Sequence, residues 1–234
     1  NSAYRKNYEP MVPSTYFLEY PNLFRSPYTN DGVHCPQQYF DQFDSLFSQL
    51  VDPSMVAAII MEPIQGEGGY IVPPVEFVQY VRKVCDTHGI MLIFDEVQTG
   101  FGRTGKMFAY EHFGVKPDIM STAKALGAGF PLSAVIAKKE IMEQWPSGAH
   151  GGTFGGNPVS CAAGLAGIGV LEHGALDNAA SMGIYFKEQL LELQKKHHCI
   201  GDVRGIGLML AIELVKEGNA PDTALCAETM HKAV

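Results

Sequence analysis

Apolar residues recur along this chain in two rhythms, and the switches between them mark out its elements. Over residues 37–50 the positions Phe40, Phe43, Leu46, Phe47 and Leu50 fall on one side of a 3.6-residue period, with Asp41, Asp44 and Ser48 on the other. That spacing predicts an amphipathic helix. Residues 75–88 repeat the pattern through Val78, Val81 and Cys85 and stop at Gly89, a residue that adopts a left-handed conformation at a helix end without steric cost. Around these helices stand short unbroken apolar runs, 55–61 and 91–94, too short for helices and bounded by turn chemistry. Each is expected as a strand buried on both faces. Strand, helix, strand over 55–95 makes a βαβ unit, which implies parallel pairing. Ile119-Met120 and the run 132–137 predict two further strands.

The flanking regions hold the pattern less steadily. Breaks at Pro10, Pro13, Pro21, Pro27 and Pro36 leave residues 1–37 as a loop-dominated entry. A short helical stretch is expected to end at His112, and residues 148–158 are glycine-rich. Pro158 is well placed as the first residue of a small-residue helix running to about Leu171. His173-Gly174 interrupts it, and 175–198 resumes as a long helix. Residues 203–214 alternate and read as one strand of a second layer, and a helix begun near Pro221 is still running at Val234, as expected of a piece of something longer. The whole reads as an α/β fold with a mostly parallel sheet and flanking helices. Residues 1–172 are expected to form part of a large domain, and 173–234 a linking helix with the start of a smaller α+β domain.

Composition narrows the function classes. With 46% hydrophobic and 18% charged residues in 234, the chain can bury a substantial core. A net charge of −8 and the lack of any Lys/Arg stripe argue against nucleic acid as a partner. Cys35, Cys85, Cys161, Cys199 and Cys226 are odd in number and without C-x-x-C spacing. They read as reduced thiols, with Cys85 and Cys161 as small core residues. No uninterrupted apolar run approaches about 18 residues, so no membrane span is expected, and no targeting segment is legible at the N-terminus. The expected location is the cytoplasm.

Candidate chemistry lies at the strand ends. Asp95 follows the run Met91-Leu-Ile-Phe94 directly, and open α/β sheets place their ligands outside the carboxyl ends of strands. The strand Ile119-Met120 leads to Lys124, whose sequence neighbours Ser121, Thr122, Ala123, Ala125, Leu126 and Gly127 are small or apolar. An ammonium in such company is expected to be poorly solvated, with a depressed pKa. The 29 positions from Asp95 to Lys124 suit a single crossover between adjacent strands. A competing signal exists, since Gly100 to Lys106 matches G-x-x-x-x-G-K. However, Met107 stands where magnesium binding needs Ser or Thr, and the match follows the Asp-Glu instead of lying on an earlier strand. Taken singly, an acid is most often a turn cap and a lysine a surface charge; the pair makes the argument. A lysine able to form a Schiff base, with a carboxylate able to keep a pyridine nitrogen protonated, is what pyridoxal phosphate requires.

Four runs then carry a resemblance. Met61-Glu-Pro-Ile-Gln-Gly-Glu-Gly-Gly69, Phe94-Asp-Glu-Val-Gln-Thr-Gly-Phe-Gly-Arg-Thr-Gly105, Pro117-Asp-Ile-Met-Ser-Thr-Ala-Lys124 and Gly151-Gly-Thr-Phe-Gly-Gly-Asn-Pro158 closely resemble the class III pyridoxal-phosphate aminotransferases, the 4-aminobutyrate type being nearest. The resemblance implies the large cofactor-binding domain of fold type I for residues 1–172. It implies that Asp95 pairs with the pyridinium nitrogen and that Lys124 carries the cofactor and shuttles the proton. Gln98 would bond the phenolic oxygen, Val97 would pack on the ring face, and Thr153, after Gly151 and Gly152, would hold the phosphate of the cofactor bound mainly to the other subunit. A homodimer is therefore implied. Glu67 would neutralise an arginine while an ω-amine donor is bound and move aside for 2-oxoglutarate; read from the residues alone, it is equally a solvated loop acid. Glu62 is expected to be structural, and His197-His198 a wet helix end. Arg204 is a tempting carboxylate clamp, but the resemblance assigns that role to a later arginine. The family's phosphate-binding Ser-Gly turn, ring-stacking aromatic and specificity arginine have no match within this chain. Two readings follow: part of a transaminase acting on an ω-amino acid and a 2-oxo acid, or a truncated product that folds without catalysing. Ornithine-type and β-alanine-type donors, and racemase relatives, stay open.

Overall fold

The computed structural model describes residues 5–8, 10, 12–30, 33–34 and 37–233; Cys35 lies outside the described residues. A short antiparallel pair, β1 (Thr29–Asn30) and β2 (Val33–His34), precedes helix α1 (Gln37–Gln49). The α1 face is close to the expected one, but Tyr39 joins Phe43 and Leu46 in the interior, while Leu50, one residue past the helix, is exposed. Strand β3 (Ala58–Met61) starts later than the apolar run predicts, because Asp52 caps a 3-10 turn at Pro53–Met55. Helix α2 (Val75–His88) then ends on Gly89 at φ 69°.

A four-stranded sheet organises the molecule. Its order is β3, β4 (Met91–Asp95), β5 (Ile119–Thr122), β6 (Ala134–Ala137); the first three are parallel and β6 is antiparallel to β5. The expected burial on both faces is not found. Along β4, Leu92 and Phe94 are fully buried while Met91 and Ile93 are not, and on β3 Ile60 is 67% exposed. The reason is that α1 and α2 cover one face only: Phe77, Val78, Val81, Val84 and Cys85 of α2 form one core with Leu92, Phe94, Tyr39 and Phe43. Each such side chain removed from water contributes about 1.5–3 kcal/mol. Rings of the two helices also meet directly, Phe40 stacking on Tyr80 at 4.3 Å between centroids.

Asp118 ties the sheet together. Its carboxylate accepts from Leu92 N (2.9 Å), Arg82 of α2 (2.8 Å) and Lys138 beyond β6 (2.6 Å). Burial pushes this carboxyl up, but those three donors more than offset it and hold the pKa at about 2.

After α3 (Lys139–Met142), Asn157 caps α4 (Pro158–Val170) through Oδ1, with Pro158 at its first turn as expected. The helical run Pro158–Lys196 includes a stretch apolar enough by composition to cross a membrane, where none was expected. It is broken at His173 (φ −93°, ψ 27°) and Gly174 (φ 117°). That leaves 13 residues in α4, about 20 Å of helix against a hydrocarbon core of about 30 Å. Cys161 in α4 is only partly buried, in contrast to Cys85, because α4 presents most of its surface outward.

Helix α5 (Leu176–Lys196) ends at His197, and both His197 and His198 are exposed. The single strand expected over 203–214 is instead a hairpin, β7 (Ile200–Ile206) with β8 (Met209–Leu214). Gly207 at φ 59° makes the reversal; a Cβ there would sit 2.3 Å from the backbone of Thr104. The hairpin inserts Met209 into the main core. Helix α6 (Thr223–Lys232), capped by Asp222, closes the chain.

Candidate active site

The carboxyl ends of β3, β4 and β5 lie side by side and each delivers a charged residue. Met61 pairs with Phe94 and Asp95 pairs with Ser121, so Glu62, Asp95 and the segment leading to Lys124 emerge at one edge. Asp95 Oδ1 accepts from Val97 N (3.0 Å) and Ser121 Oγ (3.3 Å). Among the described residues no hydrogen bond reaches Oδ2, so half of the carboxylate is left for a donor. Lys124 opens a 3-10 turn (Lys124–Gly127) with φ at 46°. A non-glycine residue in the left-handed region costs on the order of 1–3 kcal/mol and persists only where the surroundings enforce it. Tyr70, Phe101 and Ala128 share that conformation, on the loops after β3, β4 and β5. These four thus follow the three parallel strands, while Asn7, Ser14 and Asn219, also at positive φ, lie elsewhere in the chain.

Glu62 registers the whole group. Burial pushes its pKa up; the bond from Gly66 N (2.7 Å) pulls it down, Asp95 and Glu67 add repulsion, and Lys124 opposes them. Tyr20 fixes the backbone at this point, its hydroxyl donating to the carbonyls of Glu62 and Pro63 at 3.0 Å each. Gln98 is drawn into the same cluster, because its amide lies over Gly66: a Cβ on Gly66 would fall 1.5 Å from Gln98 Oε1. Val97 is half-buried beside it, and Glu67 stands exposed at the loop tip.

One expectation changes here. Lys124 is exposed in this chain, where small neighbours predicted poor solvation. Of those neighbours Ser121 and Thr122 end strand β5, and the others lie on the turn beyond it, where short side chains do not cover an ammonium. Arg204 is no free clamp, since Asp202 (3.0 Å) and Glu213 (2.6 Å) already hold its guanidinium. Gly152 and Thr153 are exposed on a turn before α4, and among the described residues no hydrogen bond ties them to the Asp95 group.

Glu96 was missed altogether. Fully buried beside Asp95, it accepts from Ala109 N (3.0 Å), Tyr110 N (2.8 Å) and the Thr99 hydroxyl. Burial raises its pKa, against the pull of those donors. Strand alternation held the signal, because Leu92, Phe94 and Glu96 share one face.

Comparison with known proteins places this geometry. The family model described as Aminotransferase class-III matches residues 1–234. The chain belongs to the class III aminotransferase family. Among family members, the leucine/methionine racemase of Thermococcus litoralis is 42% identical over 214 residues, covering 91% of this chain and 48% of that protein. The 4-aminobutyrate aminotransferase GabT of Escherichia coli is 44% identical over 208 residues, 85% of this chain and 49% of that one. In three dimensions, an amine transaminase from an uncultivated Pseudomonas species, solved in its pyridoxal-phosphate-bound form, superposes with a TM-score of 0.87 at 36% identity, covering 97% of this chain and 54% of that chain. The sheet with its flanking helices is therefore the class III aminotransferase fold, and the chain spans about half the length of the curated relatives it matches.

Proposed function

We propose that this chain is the catalytic-lysine half of a pyridoxal-phosphate-dependent aminotransferase that moves the amino group of an ω-amino acid, 4-aminobutyrate or a close analogue, to a 2-oxo acid such as 2-oxoglutarate. One observation carries the reading: Asp95 and Lys124 leave adjacent parallel strands at the same edge, with Lys124 held in a strained backbone conformation. The donor set fits the cofactor, since a carboxylate with one unengaged oxygen and a primary amine are what its pyridine nitrogen and aldehyde would meet. Pyridoxal phosphate supplies an electron sink for charge developing on the substrate carbon. Asp95 would hold a proton on the ring nitrogen through Oδ2, with Val97 N and Ser121 fixing Oδ1. Lys124 Nζ would bind the cofactor and then carry the proton from substrate to cofactor carbon. Val97 would pack against the ring and Gln98 would donate its amide to the phenolic oxygen.

Gly152 and Thr153 would take the phosphate of the neighbouring subunit's cofactor, so a homodimer is part of the proposal; their exposure in the single chain supports it. Glu67, exposed between Gly66 and Gly68 and felt by Glu62, would set the donor by answering a cationic partner while an ω-amine is bound. The division into a large domain to residue 172 and a smaller one from 173, and a cytoplasmic location, belong to the same reading. Steady-state assay of the full-length, cofactor-loaded enzyme with 4-aminobutyrate, 5-aminovalerate, ornithine and β-alanine against 2-oxoglutarate tests it. Turnover of at least one ω-amine, abolished by Lys124→Ala, is expected; no turnover with any of them would contradict it.

The racemase relative, 42% identical, favours a second reading in which the same lysine inverts an α-amino acid. Loss of optical activity from an L-amino acid without any 2-oxo acid present would decide for it.

A further inference from the structure

Arg204 stands on β7, outside the strand-end cluster, yet its side chain reaches the loop that carries Glu67. Nε donates to the Gly69 carbonyl at 2.7 Å, and Nη1 donates to Asp202 (3.0 Å) and Glu213 (2.6 Å). Glu213 is itself braced from the other side by Arg25 Nε at 2.6 Å. With its charge answered by two carboxylates and its side chain 16% exposed, Arg204 is held in one orientation. The loop it grips is short and closed. Gln65 bridges to Ile71, Gly69 N and Tyr70 N both donate to Gly66 O (3.0 and 3.2 Å), and Gly66 N donates to Glu62. Gly69 at φ 115° and Tyr70 at φ 54° turn the chain. A Cβ on Gly69 would lie 3.1 Å from Arg204 Nη2, so the backbone and the guanidinium are packed against each other. Glu67 and Gly68 form the tip of this turn, held at its base by the Gln65–Ile71 bridge and on its returning limb by Arg204.

We propose that Arg204 is a positioning residue for Glu67: through the Gly69 carbonyl it fixes the place of the Glu67 carboxylate and couples that place to the β7–β8 hairpin. The inference rests on the reading of Glu67 as the donor-setting residue. Lysine cannot replace it, because an ammonium keeps the charge beside Asp202 and Glu213 but has no planar fork to reach Gly69 at the same time.

The test uses the full-length, cofactor-loaded enzyme as wild type, Glu67→Gln, Arg204→Lys and the double variant. The amine half-reaction with 4-aminobutyrate and the oxo-acid half-reaction with 2-oxoglutarate are followed separately. Glu67→Gln is expected to lower kcat/KM for the amine about tenfold and the oxo-acid value by less than about twofold. Arg204→Lys should lower the amine value about three- to tenfold, mainly through KM, and the double variant should be no worse than Glu67→Gln, since residues acting through one another are not additive. Asp202→Asn, which leaves the Nε bond intact, should keep the ratio of half-reactions within about twofold. Hydrogen exchange at the amides of Gly69 and Tyr70 should quicken in Arg204→Lys. Equal Arg204→Lys losses in both Glu67 backgrounds, equal losses in both half-reactions, or unchanged exchange would overturn the proposal. A Glu67→Gln enzyme with an unaltered half-reaction ratio would instead overturn the Glu67 reading, and this one with it.

Discussion

Two turns of this chain, Asp95 to Gly100 and Gly151 to Gly156, are built in opposite ways. In the first, Glu96, Thr99 and Gly100 are buried, and both carboxylate oxygens of Glu96 have donors. In the second every residue is exposed, Phe154 at 77%. A Cβ added to Gly151, Gly152 or Gly156 would find no atom within 4 Å. The second turn is shaped by its own bonds, Gly155 N to Gly152 O (3.1 Å) and Asn157 N to Phe154 O (3.2 Å). The contrast separates two kinds of site-building. The chain preorganises the carboxylate side of its candidate site from its own core, whereas the Thr153 side, in the proposed reading, gains its function only against a second surface.

Substitutions can break or sharpen that contrast. The largest effect is expected from Glu96→Ala, which leaves the amides of Ala109 and Tyr110 and the Thr99 hydroxyl without their acceptor. Urea unfolding should show a loss of about 3–5 kcal/mol, since buried donors left unpaired cost about 1–3 kcal/mol each; a loss below about 1 kcal/mol would mean the turn does not depend on that acid.

Asp118 comes next, and its effect depends on pH. A carboxyl held at about 2 when folded and near 3.9 when unfolded contributes about 2 kcal/mol above pH 4, lost as pH falls through the folded value. Unfolding midpoints from pH 5 down to pH 2 should fall more steeply in wild type than in Asp118→Asn; parallel profiles would contradict this.

Gly66→Ala should act on the site more than on the fold. The methyl would displace the Gln98 amide, costing about 1–2 kcal/mol of stability as overpacking and weakening cofactor retention, read by equilibrium dialysis. Thr153→Ala is expected to be the smallest for the chain, under about 0.5 kcal/mol as an exposed substitution. It should nonetheless loosen the cofactor in the assembled protein, and retention equal to wild type would remove Thr153 from the site.

The same contrast explains what was legible in sequence. Helices α1 and α2 are readable because one face of each packs on a single local core, so period and burial agree; the parallel strands are readable from their unbroken apolar runs, although only one face of them is covered. Glu96 escaped notice because an acid at the end of an apolar run reads as solvated, and only strand alternation shows that it points inward. The β7–β8 hairpin reads as one strand because Gly205-Ile206-Gly207 sits inside an alternating run, and the positive φ of Gly207, just past β7, is what divides it. Lys124 was expected to be shielded because its sequence neighbours are small. Solvation depends on what stands across from a residue, and nothing in its neighbours specified that. The grip of Arg204 on Gly69 joins residues 135 positions apart, beyond the reach of any local pattern.

One measurement bears most directly on the pairing of Asp95 with Lys124. The full-length protein is incubated with pyridoxal phosphate, reduced with borohydride, digested, and its modified peptide mapped. The account predicts a single cofactor-modified residue, Lys124, with labelling lost in Lys124→Ala and its absorbance shifted in Asp95→Asn. Modification of another lysine, or none at all, would contradict it.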